Sequence, residues 1–279
     1  MKLVTFSSQA GERVGVVDLD REVVRDVTHL LPDGGGLLGA IEQWDAVRPL
    51  LDARTGTELP LEKVHVLAPI PRPRRNIFCV GLNYHDHVTE YEDSDYGIGN
   101  WLPDRPVIFS KATTAVIGTG TEIDRHPAVT SEVDYEGELA VIIGTGAQVW
   151  GYTIVNDVTA RDLQHAHKQW LVGKSLDTFC PMGPYVVTAD EVPDVAALEI
   201  RTKVNGELRQ HASLKDLIFD VPDLIATLSA GITLLPGDVL ATGTPAGVGL
   251  SYDPPAFLRS GDVVEVSITG LGTLRNRVR

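Results

Sequence analysis

Cysteine is nearly absent from this 279-residue chain: only Cys79 and Cys180 occur, far apart and in apolar or Pro-Gly surroundings. That excludes a disulfide framework and reads as two reduced core thiols. No stretch approaches the ~18 apolar residues of a membrane span, and Met1 to Ser8 carries no long apolar run behind a basic segment. The expected location is the cytoplasm. Positive charge is also scarce, since 24 Lys and Arg against 38 Asp and Glu leave a formal charge of −14. Such a surface repels phosphate backbones and anionic lipid, so neither nucleic acid nor membrane is an expected partner. What remains, 43% apolar and 22% charged residues with 27 Gly and 17 Pro, describes a globular, turn-rich protein. Its length suits one large domain or one domain with a smaller appendage.

The chain is read as two parts. Residues 1–70 resemble a small α/β unit: short strands around Lys2 to Phe6 and Val14 to Val17, a Gly34-Gly35-Gly36 break, then one amphipathic helix. In that helix Leu37, Leu38, Ile41, Trp44, Val47 and Leu51 recur at three- and four-residue steps. Pro71-Arg72-Pro73-Arg74-Arg75 is the linker, because closely spaced prolines forbid helix and central strand. Residues 71–279 alternate short β-branched runs with Gly, Pro and Asp, which predicts a β-rich α+β domain. Two helices are expected there, one near Val158 to Trp170 and one near Val221 to Leu228.

The sharpest local feature is Asp134-Tyr135-Glu136-Gly137-Glu138-Leu139. Residues two apart on a strand share a face, so Glu136 and Glu138 sit side by side, which is costly unless a cation neutralises them. A solvated pair is the alternative. Asn156-Asp157 then ends an apolar run, and Asp157 could add a third oxygen, with Arg161 and Gln164 sharing the next helix face. A plain capping Asp is the alternative there. An all-carboxylate set favours a hard ion, Mg²⁺ ahead of Mn²⁺ and Ca²⁺.

Gly173-Lys174-Ser175 is no phosphate loop, because Lys168 stands where that motif needs glycine. Lys174 reads instead as a cation beside the acidic site, suited to an anionic substrate, with a plain surface lysine as the alternative. Gly243 and Thr244 lie in a Gly-rich turn able to approach a carboxylate, or one with no ligand at all. His87 and Glu90 stand three apart, so a helical turn lets the carboxylate hold the imidazole. His85 with His87 as a zinc pair lacks supporting ligands, and His165 and His167 read as helix surface.

Taken in order, five segments resemble the fumarylacetoacetate hydrolase family: Gly81-x-Asn83-Tyr84-x-x-His87-x-x-Glu90, Asp134-Tyr135-Glu136-x-Glu138-Leu139, Asn156-Asp157-x-x-Ala160-Arg161-Asp162-x-Gln164, Gly173-Lys174-Ser175 and Thr242-Gly243-Thr244-Pro245. The resemblance covers roughly residues 75–279. It implies a mixed β-sheet roll, a divalent metal on Glu136, Glu138 and Asp157, and a homodimer. It places Arg161, Gln164, Lys174, Gly243 and Thr244 around a small anionic 2-oxo acid, with His87, Glu90 and Lys174 as catalytic groups. The segment carrying the dyad is implied to order over the site. Tyr91 to Asp104, with Glu92, Asp93, Asp95 and Trp101, is longer than in compact members.

The shared chemistry implied is a 2-oxo acid chelated by the metal and passing through an enolate. With a water activated by His87, the result is hydrolytic C–C cleavage of an acylpyruvate or 2,4-dioxo acid. Without it, the result is decarboxylation of an oxaloacetate-like acid, or isomerisation. The presence of both His87 and Glu90 favours the hydrolase. A Ca²⁺ staple in a noncatalytic domain is disfavoured by the converging Arg161, Gln164, Lys174 and Thr244.

Overall fold

The computed structural model describes residues 1–9, 11–32, 34–92 and 103–279. Most of the stretch from Tyr91 to Asp104 singled out above lies outside the described residues. Among the described residues the chain is an α+β, β-rich fold built on a mixed sheet of twelve strands. Its path runs Thr57–Pro60, Val23–Asp26, Gly11–Asp18, Lys2–Ser8, Cys180–Thr188, Val149–Asn156, Gly137–Ile143, Val239–Ala241, Ile77–Gly81 and Val107–Lys111. Two short strands, His65–Val66 and Val116–Ile117, pair off this path. The N-terminal strands join the rest through Leu3 opposite Val186, so the sheet is continuous between the two parts of the chain. Pairing is mostly antiparallel, with Val239–Ala241 parallel to Ile77–Gly81.

A second sheet of Glu207–Ser213, Glu199–Val204, Val263–Ile268 and Gly272–Arg277 packs against the centre of the first. Central strands are buried on both faces, which is why Gly137–Ile143 reads as a near-continuous apolar run instead of an alternating one. Both cysteines are free and buried in this core. No described helix is long and apolar enough to cross a membrane.

Two helix expectations are corrected. The amphipathic pattern from Leu37 to Leu51 is two helices, Gly36–Glu42 and Trp44–Asp52, separated at Gln43 with φ −114° and ψ 30°. The break lets Leu37 and Ile41 on one side and Val47 and Leu51 on the other all reach the core. The helix expected over Val158 to Trp170 starts only at Arg161 and ends at Ala166, because Thr159–Ala160 pairs as a strand with Val133–Asp134. A further turn of helix, Leu171–Lys174, packs directly on it. Gly173 makes that approach possible: a Cβ there would lie 2.5 Å from Gln164 N and 2.8 Å from Ala160 O. The glycine that mimicked a phosphate loop is a packing glycine. Val221–Ser229 is helical as expected, capped by Asp220.

Candidate metal centre and its anionic pocket

Sheet pairing assembles the acidic cluster. Gly137 pairs with Asn156 and Glu138 with Val155 in neighbouring antiparallel strands, and Asp157 N donates to Glu136 O at 2.8 Å just beyond that pair. Glu136 precedes its strand by one residue, and its own amide donates to Asn156 Oδ1. The carboxylates of Glu136, Glu138 and Asp157 thereby come within 4.8 Å of one another. Their exposures of 4%, 1% and 0% exclude the solvated reading. Asp157 is no helix cap either, since Ala160 occupies that position.

Oxygens sharing one hard cation at about 2.0–2.6 Å necessarily lie within about 5 Å of each other, so the triad fits such an ion in separation and donor type. Electrostatics agree. Burial and the charges of Asp157 and Glu136 push the Glu138 carboxyl well above the usual range, the mark of a negative charge awaiting a cation. Burial raises Glu136 too, but Lys174, Arg161 and His87 outweigh it and hold that carboxyl below the usual range.

Lys174, 2% exposed, lies 2.7 Å from Glu136 Oε2 and 2.9 Å from Asp157 Oδ2. Burial alone would lower its ammonium, yet Asp157 and Glu136 push it up to about 12. Arg161 reaches Glu136 Oε1 at 2.7 Å and Asp134 Oδ2 at 2.8 Å, and donates from Nη1 to Gln164 Oε1 at 3.1 Å. Asp134 also accepts the amides of Gly249 and Leu250, so one carboxylate ties the arginine to the turn after Thr244.

The remaining expected residues are near but differently employed. Gly243, at φ +103°, donates its N–H to Glu138 Oε2 at 2.8 Å. The Thr244 hydroxyl donates to Gly137 O at 3.0 Å and accepts from Gln210 Nε2 at 2.7 Å. His87 is buried with Nδ1 3.1 Å from Glu90 Oε2, while Glu90 Oε1 accepts the Gly247 amide at 2.7 Å. His85 is exposed, and so are His165 and His167.

Two groups escaped the sequence reading. Lys111, fully buried, lies 2.5 Å from Asp157 Oδ1 and donates to Val158 O. Gln210 joins Gly137 N to Thr244 and Pro245. A lone Lys at a strand end and a lone Gln within a strand carry no local signal. Four buried acids, Asp134, Glu136, Glu138 and Asp157, thus face three buried cations, Lys111, Arg161 and Lys174. A divalent ion would leave one positive charge, a match for an anion.

Residues 76–279 match the family model described as fumarylacetoacetate (FAA) hydrolase, C-terminal. The chain belongs to this family. It is 49% identical to the oxaloacetate tautomerase YisK of Bacillus subtilis (strain 168) over 229 residues, 78% of this chain and 74% of that protein. A fumarylacetoacetate hydrolase structure from Exiguobacterium antarcticum superposes with a TM-score of 0.84 at 41% identity, covering 100% of this chain and 99% of that one. A maleylpyruvate hydrolase of Sphingobium sp. SYK-6, solved with manganese(II) and pyruvate, superposes at 0.80 with 32% identity, covering 100% and 98%. The family, the buried triad and that manganese-bound relative together support a divalent-metal site in this enzyme fold.

Proposed function

We propose that the chain is a Mg²⁺-dependent enzyme that interconverts keto and enol forms of a small anionic 2-oxo acid of the oxaloacetate type. The isomerase alternative thereby displaces the hydrolase as the leading reading, because the 49% identical relative is named an oxaloacetate tautomerase. The observation that carries it is the pairing of a cation-ready acidic triad with a buried, carboxylate-held imidazole. Glu136, Glu138 and Asp157 would hold the ion, which when bound would supply Lewis-acid polarisation of a keto oxygen. Tautomerisation removes one proton from the carbon beside the keto group and adds one at oxygen, so it needs a base and no nucleophilic water. His87, held at Nδ1 by Glu90, offers its other ring nitrogen to that carbon-bound proton. Lys174 and Arg161 supply positive charge for the substrate carboxylates in a buried setting where such charge is weakly screened. Homodimeric assembly belongs to the same proposal.

Hydrolytic C–C cleavage is the second reading, favoured by the same dyad, which suits a water nucleophile equally well. The test follows decay of the enol absorbance of oxaloacetate and release of pyruvate from acetylpyruvate, each with and without EDTA. Accelerated, EDTA-sensitive ketonisation supports the proposal. Pyruvate release without any acceleration of ketonisation overturns it in favour of the hydrolase.

A further inference from the structure

We propose that Phe109 and Trp170 form an aromatic wall beside the metal centre that widens the site beyond oxaloacetate-type acids, binding a 2-oxo acid with a flat aryl tail more tightly than one with no tail; this rests on the 2-oxo-acid reading of the site. Phe109 and Lys111 lie two apart on the strand Val107–Lys111 and so share one face. Lys111 holds Asp157 at one end of that face. Phe109, about 6–7 Å further along the strand, has its ring centroid 5.0 Å from Lys174 Nζ, the ammonium that bridges Glu136 and Asp157. Trp170 continues the line, edge-on to Phe109 at 5.1 Å between centroids and 69° between planes.

Both rings are half-buried, so each keeps surface available to a ligand, unlike the core aromatics Phe6 and Phe179. The position of Trp170 depends on Gly81, which pairs with Val107 on the same sheet face. A Cβ on Gly81 would lie 2.4 Å and 2.8 Å from the indole ring. Trp170 also begins the turn that carries Lys174, whose amide donates to the Trp170 carbonyl at 3.0 Å. Cation, wall and Gly81 are therefore one construction. An acid anchored by its 2-oxo-carboxylate head at the triad and Lys174 has its tail directed over the rings. Aromatic faces and edges reward planar conjugated groups beyond the area they bury.

The experiment is calorimetric titration of the Mg²⁺-loaded full-length protein with two probes. Pyruvate has the head and no tail; (E)-2-oxo-4-phenylbut-3-enoate has the same head with a flat aryl tail and no enolisable carbon. The readout is the ratio of the two dissociation constants. Trp170→Ala is expected to reduce the preference for the aryl probe by roughly 2- to 10-fold. Trp170→Phe should retain most of it, and Gly81→Ala, which displaces the indole, should reduce it as Trp170→Ala does. A merely structural role would weaken both probes by the same factor. An unchanged ratio in Trp170→Ala overturns the wall, whatever the activity assays give. Preserved binding and selectivity in a protein that accelerates no reaction of a 2-oxo acid overturns the catalytic reading and leaves the wall standing. Failure to bind either probe overturns both.

Discussion

Lys111 Nζ lies 2.5 Å from Asp157 Oδ1, and both side chains are fully buried. Lys174 grips the other oxygen of the same carboxylate, so Asp157 is oriented from two sides. Removing one partner of a buried pair strands the other charge, at a typical cost of about 3–5 kcal/mol. Lys111→Met is therefore expected to destabilise the metal-free protein by that order in urea unfolding. Lys111→Arg should recover part of the loss, because it keeps the charge but not the shape. A Lys111→Met protein as stable as wild type would show that the pair contributes nothing.

Glu138 is the triad carboxyl whose negative charge, once its proton is lost, no lysine or arginine pairs among the described residues. Glu138→Gln keeps an oxygen acceptor for the Gly243 amide while removing that charge. The metal-free variant should melt at or above the wild-type temperature, and the rise in Tm that Mg²⁺ or Mn²⁺ gives the wild type should vanish. A wild-type-sized metal shift in the variant would remove Glu138 from the ligand set.

The same carboxyl makes metal binding pH-dependent. Its folded-state pKa is raised by burial and by Asp157 and Glu136, so the folded metal-free protein holds a proton that the unfolded chain releases earlier. Stability of the metal-free protein should be undiminished by this group below the ordinary glutamate range and should fall as pH rises from there toward the raised value. A cation displaces that proton, so affinity should climb over the same interval, with proton release on binding. Titration calorimetry in buffers of different ionisation enthalpy measures the release; none across pH 5–8 would contradict the assignment.

His87→Ala should cost roughly 10² to 10⁴ in ketonisation of oxaloacetate, the usual range for losing a positioned base. Glu90→Gln preserves size and hydrogen bonding but not charge, and should lose less in the same direction. Because Glu90 also accepts the Gly247 amide, its effect should appear in KM as well as kcat. Unaltered kcat in His87→Ala would transfer the base role elsewhere.

Gly173→Ala places a methyl 2.5 Å from Gln164 N and must part the two short helices. Overpacking of this kind costs about 1–3 kcal/mol. Since Lys174 and Gln164 move with those helices, KM for a 2-oxo acid should rise beyond what the drop in Tm alone explains. Wild-type KM in a destabilised variant would show that the packing supports the fold and not the pocket.

The sequence alone determined the parts of the site that obey local rules. Glu136 and Glu138 are two residues apart, Arg161 and Gln164 three apart, and His87 and Glu90 three apart, and strand and helix geometry turns each spacing into adjacency. Five such segments in order identified the family. Tertiary structure decided whatever depends on distant residues: Lys111 on Asp157 across 46 positions, Gly243 on Glu138 across 105, and Gln210 on Thr244 across 34. It also turned Gly173 and Gly81 from motif glycines into sites of close approach, since only packing shows what a Cβ would strike. The break at Gln43 and the strand at Thr159–Ala160 belong there too, because burial of both short helices in one case and pairing with the distant Val133–Asp134 in the other overrode a periodicity that one straight helix would have satisfied.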